Sequence, residues 1–394
     1  MMMRKFMIDS LRFWATEYKI DGFRFDLVKG LGTSYPSGTE AYNASRVAVM
    51  KDLHAAIKAV KPNGIHINEN LAGDKEENEM AADGQLNWAN INYNSCQFGM
   101  GYASGSNLER FLSTSDSRTA FSTVAYAESH DEERVGYKQK AYGYGSVKED
   151  QYKRSRRLAQ LAVQMLLTPG PKMIWQFGEF GADQTTKNSD DSNNTDPKTV
   201  VWYYKDATDH VGIFEAYQAM CNLRRNNPDL FINGTFTQVG MNTQSFSTNR
   251  IIRINNGDRE IIALINPNVE GAAKNVGYSV QKISVSNHQI LSSSRNLTAT
   301  PTFSGTTVKC SIPANGYIVL GTKSVLGVDD VTVDADPSTA VKVYADGREI
   351  VIAGEYTTAT VYNVAGALQP SLSVSAPGLY IVTVDGTAHK VLVR

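Results

Sequence analysis

Three short segments of the sequence each carry a carboxylate in a setting that suits acid–base or nucleophilic chemistry. Residues 21–26 read DGFRFD, residues 66–70 read HINEN and residues 128–134 read ESHDEER. Each carboxylate follows a run of residues typical of a strand. The candidates are Asp26, Glu69 and Asp131.

Arg24 and Asp26 stand two residues apart near the end of the first of these strands. Residues at that spacing on a strand face the same side. The guanidinium could therefore hold the carboxylate ionised and oriented, as a nucleophilic carboxylate requires. Taken alone, the pair also fits a structural ion pair at a strand end.

The second and third segments each allow a chemical and a structural interpretation. Glu69 beside apolar groups at a barrel mouth would have a pKa raised toward the range of a general acid, but it could also cap a helix or order a loop. His130 next to Asp131 could bind a sugar hydroxyl, although five of these seven residues are charged and could lie on the surface. The active sites of α/β barrels lie at the carboxyl ends of the strands, so three such strands together favour one catalytic site.

Strand-like and helix-like patterns alternate up to about residue 227, which predicts parallel strands joined by crossover helices. An amphipathic helix comes first, with Met7, Leu11, Trp14 and Tyr18 on one face. Further helices are predicted at residues 44–61, near 107–112 and at 155–167. Five strands can be counted, at residues 20–26, 65–69, 86–93, 122–128 and 172–176.

The sequence pattern changes after Pro228. Gly, Asn, Ser and Thr now separate short segments of alternating apolar and polar residues, as in an antiparallel sandwich. A polar, acidic stretch at residues 327–338 looks like a linker, and short strands follow it. We therefore expect three regions. They are a catalytic α/β barrel at residues 1–228, a β-sandwich at 229–325, and a linker with a small β domain at 326–394.

Five blocks of the sequence, in the right order, resemble the α-amylase family of glycoside hydrolases, often called family 13. The blocks are residues 22–29, 66–70, 130–131, 169–179 and 223–228. They resemble, in turn, the family's motifs at the fourth, fifth, seventh and eighth strands of a TIM (β/α)8 barrel and the closing helix. The resemblance implies an incomplete barrel, strands 4 to 8, followed by the antiparallel sandwich and the small C-terminal β domain.

The resemblance also implies roles for the site residues and a retaining mechanism. Asp26 would be the nucleophile, Glu69 the acid and base, and Asp131 the carboxylate that stabilises the transition state. In a retaining enzyme the first two carboxyls lie about 5 to 5.5 Å apart. The substrate-binding residues implied are Arg24, Lys29 and His130.

The sequence departs from the family pattern in three ways. Around Glu69, Asn68 and Leu71 stand where many members have Gly and an aromatic residue. Gly30 stands where many members have His, and the blocks of the first three strands are missing, so we expect an N-terminally truncated chain that is weak or inactive alone. No cofactor is evident. Calcium is common in the family and is a candidate for the intact protein, with ligands that belong largely to the missing part.

The last segment, with PGLYIVTV at residues 377–384 and HKVLV at 389–393, resembles the C-terminal sorting domain of type IX secretion. The resemblance implies a partner in the secretion machinery and a secreted or cell-surface full-length protein. Such a protein needs a signal peptide, and this chain shows none. An ordinary accessory β domain is the alternative.

Composition narrows the partners. Lys plus Arg total 39 against 40 for Asp plus Glu, so no overall charge favours nucleic acid. No apolar run is long enough to predict a transmembrane segment. The expected partner is an α-glucan polysaccharide or oligosaccharide. Two alternatives stay open: a branching enzyme or glucanotransferase using the same site, and a non-catalytic carbohydrate-binding surface protein, because five strands cannot close the barrel.

Overall fold

The computed structural model describes residues 2–32, 37–190, 192, 196–279, 288–326, 341–363 and 367–393. The chain divides into two units, Met1–Asp329 and Asp330–Arg394. The predicted linker at residues 327–338 lies outside the described residues. The predicted domain boundaries after residues 228 and 325 stay predictions.

Five parallel strands form one sheet in the first unit, hydrogen-bonded in their order along the chain. The sheet confirms the predicted α/β class and the count of five parallel strands in this region, and it is consistent with an incomplete barrel. The strands are β1 (Gly22–Phe25), β2 (Ile65–Asn68), β3 (Leu86–Asn90), β4 (Thr123–Tyr126) and β5 (Lys172–Met173).

Helices connect and follow these strands. They are α1 (Met2–Glu17), α2 (Ala44–Val60), α3 (Asp74–Ala82), α4 (Asn92–Met100), α5 (Val135–Tyr142), α6 (Ser146–Glu149), α7 (Gln151–Leu167), α8 (Val211–Asn226) and α9 (Pro228–Asn233). Helix α2 begins where the Asn43 side chain accepts hydrogen bonds from the backbone N–H groups of Ser45 and Arg46, as a capping residue does. The residues that α2 buries include Val47, Met50, Leu53 and Ile57.

Helix α7 joins the α/β part of the first unit to its antiparallel part. Its apolar residues lie in one large core with those of α8. Polar side chains of α7 are buried as well, because they bind backbone carbonyls of the neighbouring sheet. Arg157 donates to the carbonyl of Pro267, and Gln160 donates to the carbonyls of Asn266 and Gly316.

Antiparallel strands complete the first unit, in the spatial orders β10-β13-β8-β7-β6 and β11-β12-β9. Strands β7 and β8 are buried on both faces. Ile252 and Ile254 share a core with α7, whereas Ile251 lies in a core with residues of the second sheet, such as Val308. The strands are β6 (Thr235–Val239), β7 (Arg250–Asn256), β8 (Arg259–Asn266), β9 (Lys274–Ser279), β10 (His288–Ser293), β11 (Thr302–Ser304), β12 (Thr307–Ile312) and β13 (Gly316–Thr322).

The second unit contains only short antiparallel strands among its described residues. Strands β14 and β15 form a hairpin, and β16, β17 and β18 form a three-stranded sheet. Its core includes Ile350, Val361, Val382 and Val391. The strands are β14 (Lys342–Asp346), β15 (Glu349–Ala353), β16 (Ala359–Asn363), β17 (Gly378–Val384) and β18 (Thr387–Val393).

The structure corrects one predicted element and adds others. The helix predicted near residues 107–112 is wrong, because that region holds only the short 3-10 helix Glu109–Phe111. Helices α3, α4 and α5 were not predicted. Among the residues that the structure describes, no helix is both long enough and apolar enough to cross a membrane.

Candidate active site

The candidate carboxylates follow strands of the parallel sheet. Asp26 comes directly after β1, Glu69 directly after β2, and Asp131 five residues after β4. Because all five strands of this sheet are parallel, the carboxyl ends of β1, β2 and β4 lie at the same edge of the sheet. This edge is where a barrel of this class carries its active site.

Arg24 brings the first two carboxylates together. One terminal nitrogen of its guanidinium donates to Asp26 Oδ1, and the other donates to Glu69 Oε2 at 2.7 Å. The guanidinium carbon also lies 4.1 Å from the centre of the Trp88 ring, a cation–π contact. Arg24 thus contacts both Asp26 and Glu69, and the catalytic roles of the two carboxylates stay predictions. The carboxyl separation of 5 to 5.5 Å stays a prediction.

The turn after Asp26 places a second donor on Glu69. Leu27 has a φ of 43°, in the left-handed region that a residue with a side chain rarely adopts. Its backbone N–H donates to Glu69 Oε2 at 2.8 Å, and the Val28 N–H donates to the Glu69 carbonyl at 2.9 Å. Glu69 is only 13% exposed, whereas Asp26 is 76% exposed. The acid/base candidate is thus held firmly, and the nucleophile candidate faces solvent.

Trp88 links the third carboxylate to this pair. His130 Nε2 lies 3.5 Å from Asp131 Oδ1, and both side chains are about half exposed. The His130 ring packs edge-on against Trp88, whose ring also lies under Arg24. Trp88 is therefore the contact that connects the loop after β4 to the β1–β2 end of the site. Its place in the middle of a short strand gave no signal of this role.

Lys29, predicted to bind substrate, lies in the short 3-10 helix Val28–Gly30 after β1. Its ammonium pairs with the Glu40 carboxylate, and its backbone carbonyl accepts a hydrogen bond from Arg46 at 2.8 Å. The structure thus gives Lys29 an acidic partner. Its contact with a sugar stays a prediction.

A buried ion pair supports the loop that carries Lys29. Arg46 and Glu76 have no exposed side-chain surface, and two guanidinium nitrogens donate to the carboxylate at 2.6 and 2.7 Å. Arg46 also donates to the carbonyls of Thr39 and Ala41. No local sequence pattern indicates this pair, because its members are 30 residues apart and stand in separate helices.

Two further carboxylates of the loop after β4, Glu128 and Glu132, have structural partners. Glu128 accepts from the Val135 N–H at 2.6 Å and pairs with Arg134, and its burial raises its pKa. Burial also raises the pKa of Glu132, which binds Asn90 and Ser129. These charges fix the loop that presents His130 and Asp131.

Within the described part of the chain, no three His, Cys, Asp or Glu side chains are grouped so as to hold a metal ion. Asp26 and Glu69 bind Arg24 instead, and Glu69 also accepts from the Leu27 N–H. Asp26 and Glu69 thus lie among hydrogen-bond donors, which does not fit a calcium site.

Comparisons with known proteins identify a family and a fold. A family model described as the α-amylase catalytic domain matches residues 2–211. A search of curated proteins found no match.

Three similar solved structures illustrate the shared fold. The α-amylase from H. orenii is 16% identical with a TM-score of 0.57, over 81% of this chain and 64% of that one. A multi-modular glycogen-degrading pneumococcal virulence factor is 15% identical with a TM-score of 0.60, over 82% and 40%. The debranching enzyme from Nostoc punctiforme is 16% identical with a TM-score of 0.51, over 81% and 61%. The chain therefore spans less than two thirds of each.

Proposed function

This chain belongs to the α-amylase family, and on that premise we propose that the complete protein hydrolyses α-1,4-glucosidic bonds of starch-type glucans with retention of configuration. One observation carries the proposal. A single guanidinium, that of Arg24, binds the carboxylates of both Asp26 and Glu69. A retaining glycosidase needs two carboxylates at such close range, one on either side of the scissile bond.

The proposed reaction has two steps. Asp26 attacks the anomeric carbon while protonated Glu69 gives its proton to the leaving oxygen, so a glucosyl-enzyme ester forms and the shortened glucan departs. Glu69, now a carboxylate, takes a proton from water as the water oxygen attacks the anomeric carbon and releases Asp26. Asp131 would accept hydrogen bonds from hydroxyls of the same sugar, with His130 beside it.

We further propose that β1 to β5 are strands 4 to 8 of a barrel that the complete protein closes with three more strands. Within the described residues, β1 is hydrogen-bonded only to β2, and β5 only to β4. Unprotected strand edges are unfavourable in a finished fold. Helix α1 also exposes large apolar side chains, including those of Met3, Phe6 and Phe13. We expect further chain to cover these surfaces.

Turnover of soluble starch tests the proposal. The complete gene product should release reducing ends, Asp26→Asn should abolish the release, and the 394-residue chain should be weak or inactive. Asp21→Asn is the matched control, because Asp21 is exposed and lies just before the other end of the same strand. Normal turnover by Asp26→Asn in the complete protein would overturn the assignment.

Two alternatives give different products or none. A branching enzyme or glucanotransferase would convert maltoheptaose into longer or branched glucans, because a sugar hydroxyl replaces water. A non-catalytic carbohydrate-binding surface protein is favoured by the open edges of the sheet. It would bind maltoheptaose without changing it, even as the complete protein.

We propose that the second unit directs export by type IX secretion, and that the full-length protein is secreted or held at the cell surface. The support is the resemblance of residues 377–393 to sorting domains and the separate core of this unit. Deleting residues 330–394 in the native host should leave the protein inside the cell envelope. Unchanged export of the deletion variant would favour an accessory domain.

A further inference from the structure

A cavity of about 800 Å³ lies beside the loop after β4 and has Asp131 among its lining residues. One side comes from α4, whose lining residues follow helical spacing and so share one face. The lining residues of α4 are Asn92, Tyr93, Cys96, Gln97 and Met100. Lys138 and Tyr142, four residues apart on α5, line the cavity as well.

The two helices are held together at fixed points. A Cβ atom at Gly99 of α4 would lie 2.6 Å from a methyl carbon of Val135 on α5, so only glycine permits this approach. Near the other end of α5, the Tyr102 hydroxyl donates to the Tyr142 carbonyl at 3.0 Å. The buried loop carboxylates hold the Asp131 end. The cavity is therefore preformed, as ligand sites usually are.

The lining suits a sugar chain. Tyr93 and Tyr142 are 65% and 56% exposed, and Lys138 lies over the Tyr142 ring at 5.2 Å. Exposed tyrosine rings offer flat apolar faces with a polar tip, which match the C–H faces of glucose units. Carboxylate, amide and ammonium groups of the lining match their hydroxyls. The volume lies within the range typical of small-molecule sites.

We propose that this cavity binds the glucose units of an α-glucan next to the unit held at Asp131, with Tyr93 and Tyr142 stacking on the sugar rings. This inference rests on the proposed function, because it takes Asp131 as part of the catalytic site. It does not depend on further strands, since all the lining residues lie between Asn92 and Lys187.

Calorimetric binding of maltoheptaose to the 394-residue chain carrying Asp26→Asn tests the proposal. Tyr93→Ala and Tyr142→Ala should each weaken binding about tenfold, as expected for a lost aromatic contact. Tyr93→Phe should bind like the parent, because the ring and not the hydroxyl makes the contact. Tyr344→Ala is the matched control, since Tyr344 is 50% exposed but lies in the second unit.

The outcomes separate this proposal from the function on which it rests. Parent-like affinity of both alanine variants, with unchanged folding by circular dichroism, would overturn the cavity assignment and leave starch turnover by the complete protein untouched. Absence of maltoheptaose binding to the parent would also overturn it. Failure of the complete protein to turn over starch is a separate result, and it would refute the proposed function.

Discussion

Replacing Arg46 by methionine is expected to destabilise the first unit by about 3 to 5 kcal/mol, the usual cost of removing one partner of a buried ion pair. Arg46 and Glu76 are both fully buried, so the carboxylate left behind could not be solvated by water without a rearrangement. The loop after β1 should loosen as well, because Arg46 binds its backbone carbonyls at Lys29, Thr39 and Ala41.

The surroundings of Glu76 decide where in that range the cost falls. The Asn43 N–H donates to one carboxylate oxygen at 2.8 Å, and the Asn70 side chain donates to the other at 2.9 Å. These two donors remain in the variant and partly compensate the charge, so the lower end, near 3 kcal/mol, is expected. Even that is a large share of the total of about 5 to 15 kcal/mol typical of folded domains.

Urea unfolding followed by tryptophan fluorescence measures the effect in the relevant unit, because all four tryptophans lie within residues 1–329. The matched control is Arg4→Met, which breaks the exposed pair of Arg4 with Asp52 and should cost about 1 kcal/mol or less. The double variant Arg46→Met with Glu76→Met should recover much of the loss, since no charge is then left buried.

Equal midpoints for Arg46→Met and Arg4→Met, with unchanged urea dependence, would refute this reasoning. The pair would then contribute no more than a surface contact, and the loop after β1 would need another support. A double variant less stable than Arg46→Met would instead show that the lost packing, and not the unpaired charge, sets the cost.

Three further predictions concern a buried histidine, the two paired carboxylates and a buried arginine. Burial holds the His66 pKa near 3, against 6.5 in the unfolded chain. Because the unfolded chain then binds a proton that the folded chain does not, the free energy of unfolding should fall by up to about 4 kcal/mol as the pH drops from 6.5 toward 3. Urea titrations at several pH values should show a flatter dependence for His66→Gln. In the complete protein, azide with an activated aryl α-glucoside should give the α-glucosyl azide from Glu69→Ala and the β-glucosyl azide from Asp26→Ala. NMR identifies the anomer, and the same anomer from both variants would contradict the assigned roles. Arg157→Lys should lower the urea midpoint and reduce the free energy of unfolding by about 2 kcal/mol, because an ammonium cannot reach all the carbonyls that this buried guanidinium binds. An unchanged midpoint would show that these hydrogen bonds do not stabilise the first unit.

The sequence predicted best those elements whose burial follows apolar periodicity. Helix α2 was predicted because Val47, Met50, Leu53, Ile57 and Val60 recur at helical spacing. The structure buries the first four and leaves Val60, the last residue of the helix, 36% exposed. Helix α3 was missed because its buried face includes Glu76 and Glu77, which local pattern reading places in solvent. Their partners, Arg46 and Arg118, are distant in sequence, so only the fold shows why these charges are inside.

Part of the candidate site could likewise be predicted from the sequence, and part could not. The three segments that carry its carboxylates could be predicted, because each follows a strand and matches a motif. The contacts of Trp88 with Arg24 and His130 could not, since they join side chains from three strands or the loops after them. Such contacts depend on strand register, which the sequence does not state.

Exposure of the two paired carboxylates shows what the described part of the chain lacks as a catalyst. Glu69, after the inner strand β2, is 13% exposed, whereas Asp26, after the edge strand β1, is 76% exposed. A closed active site excludes water from the reacting groups, which strengthens the electrostatic interactions around them. A strand paired with the free edge of β1 would shield Asp26 without disturbing Arg24, which already holds both carboxylates. The proposed extra strands therefore have a definite chemical task, the desolvation of the nucleophile.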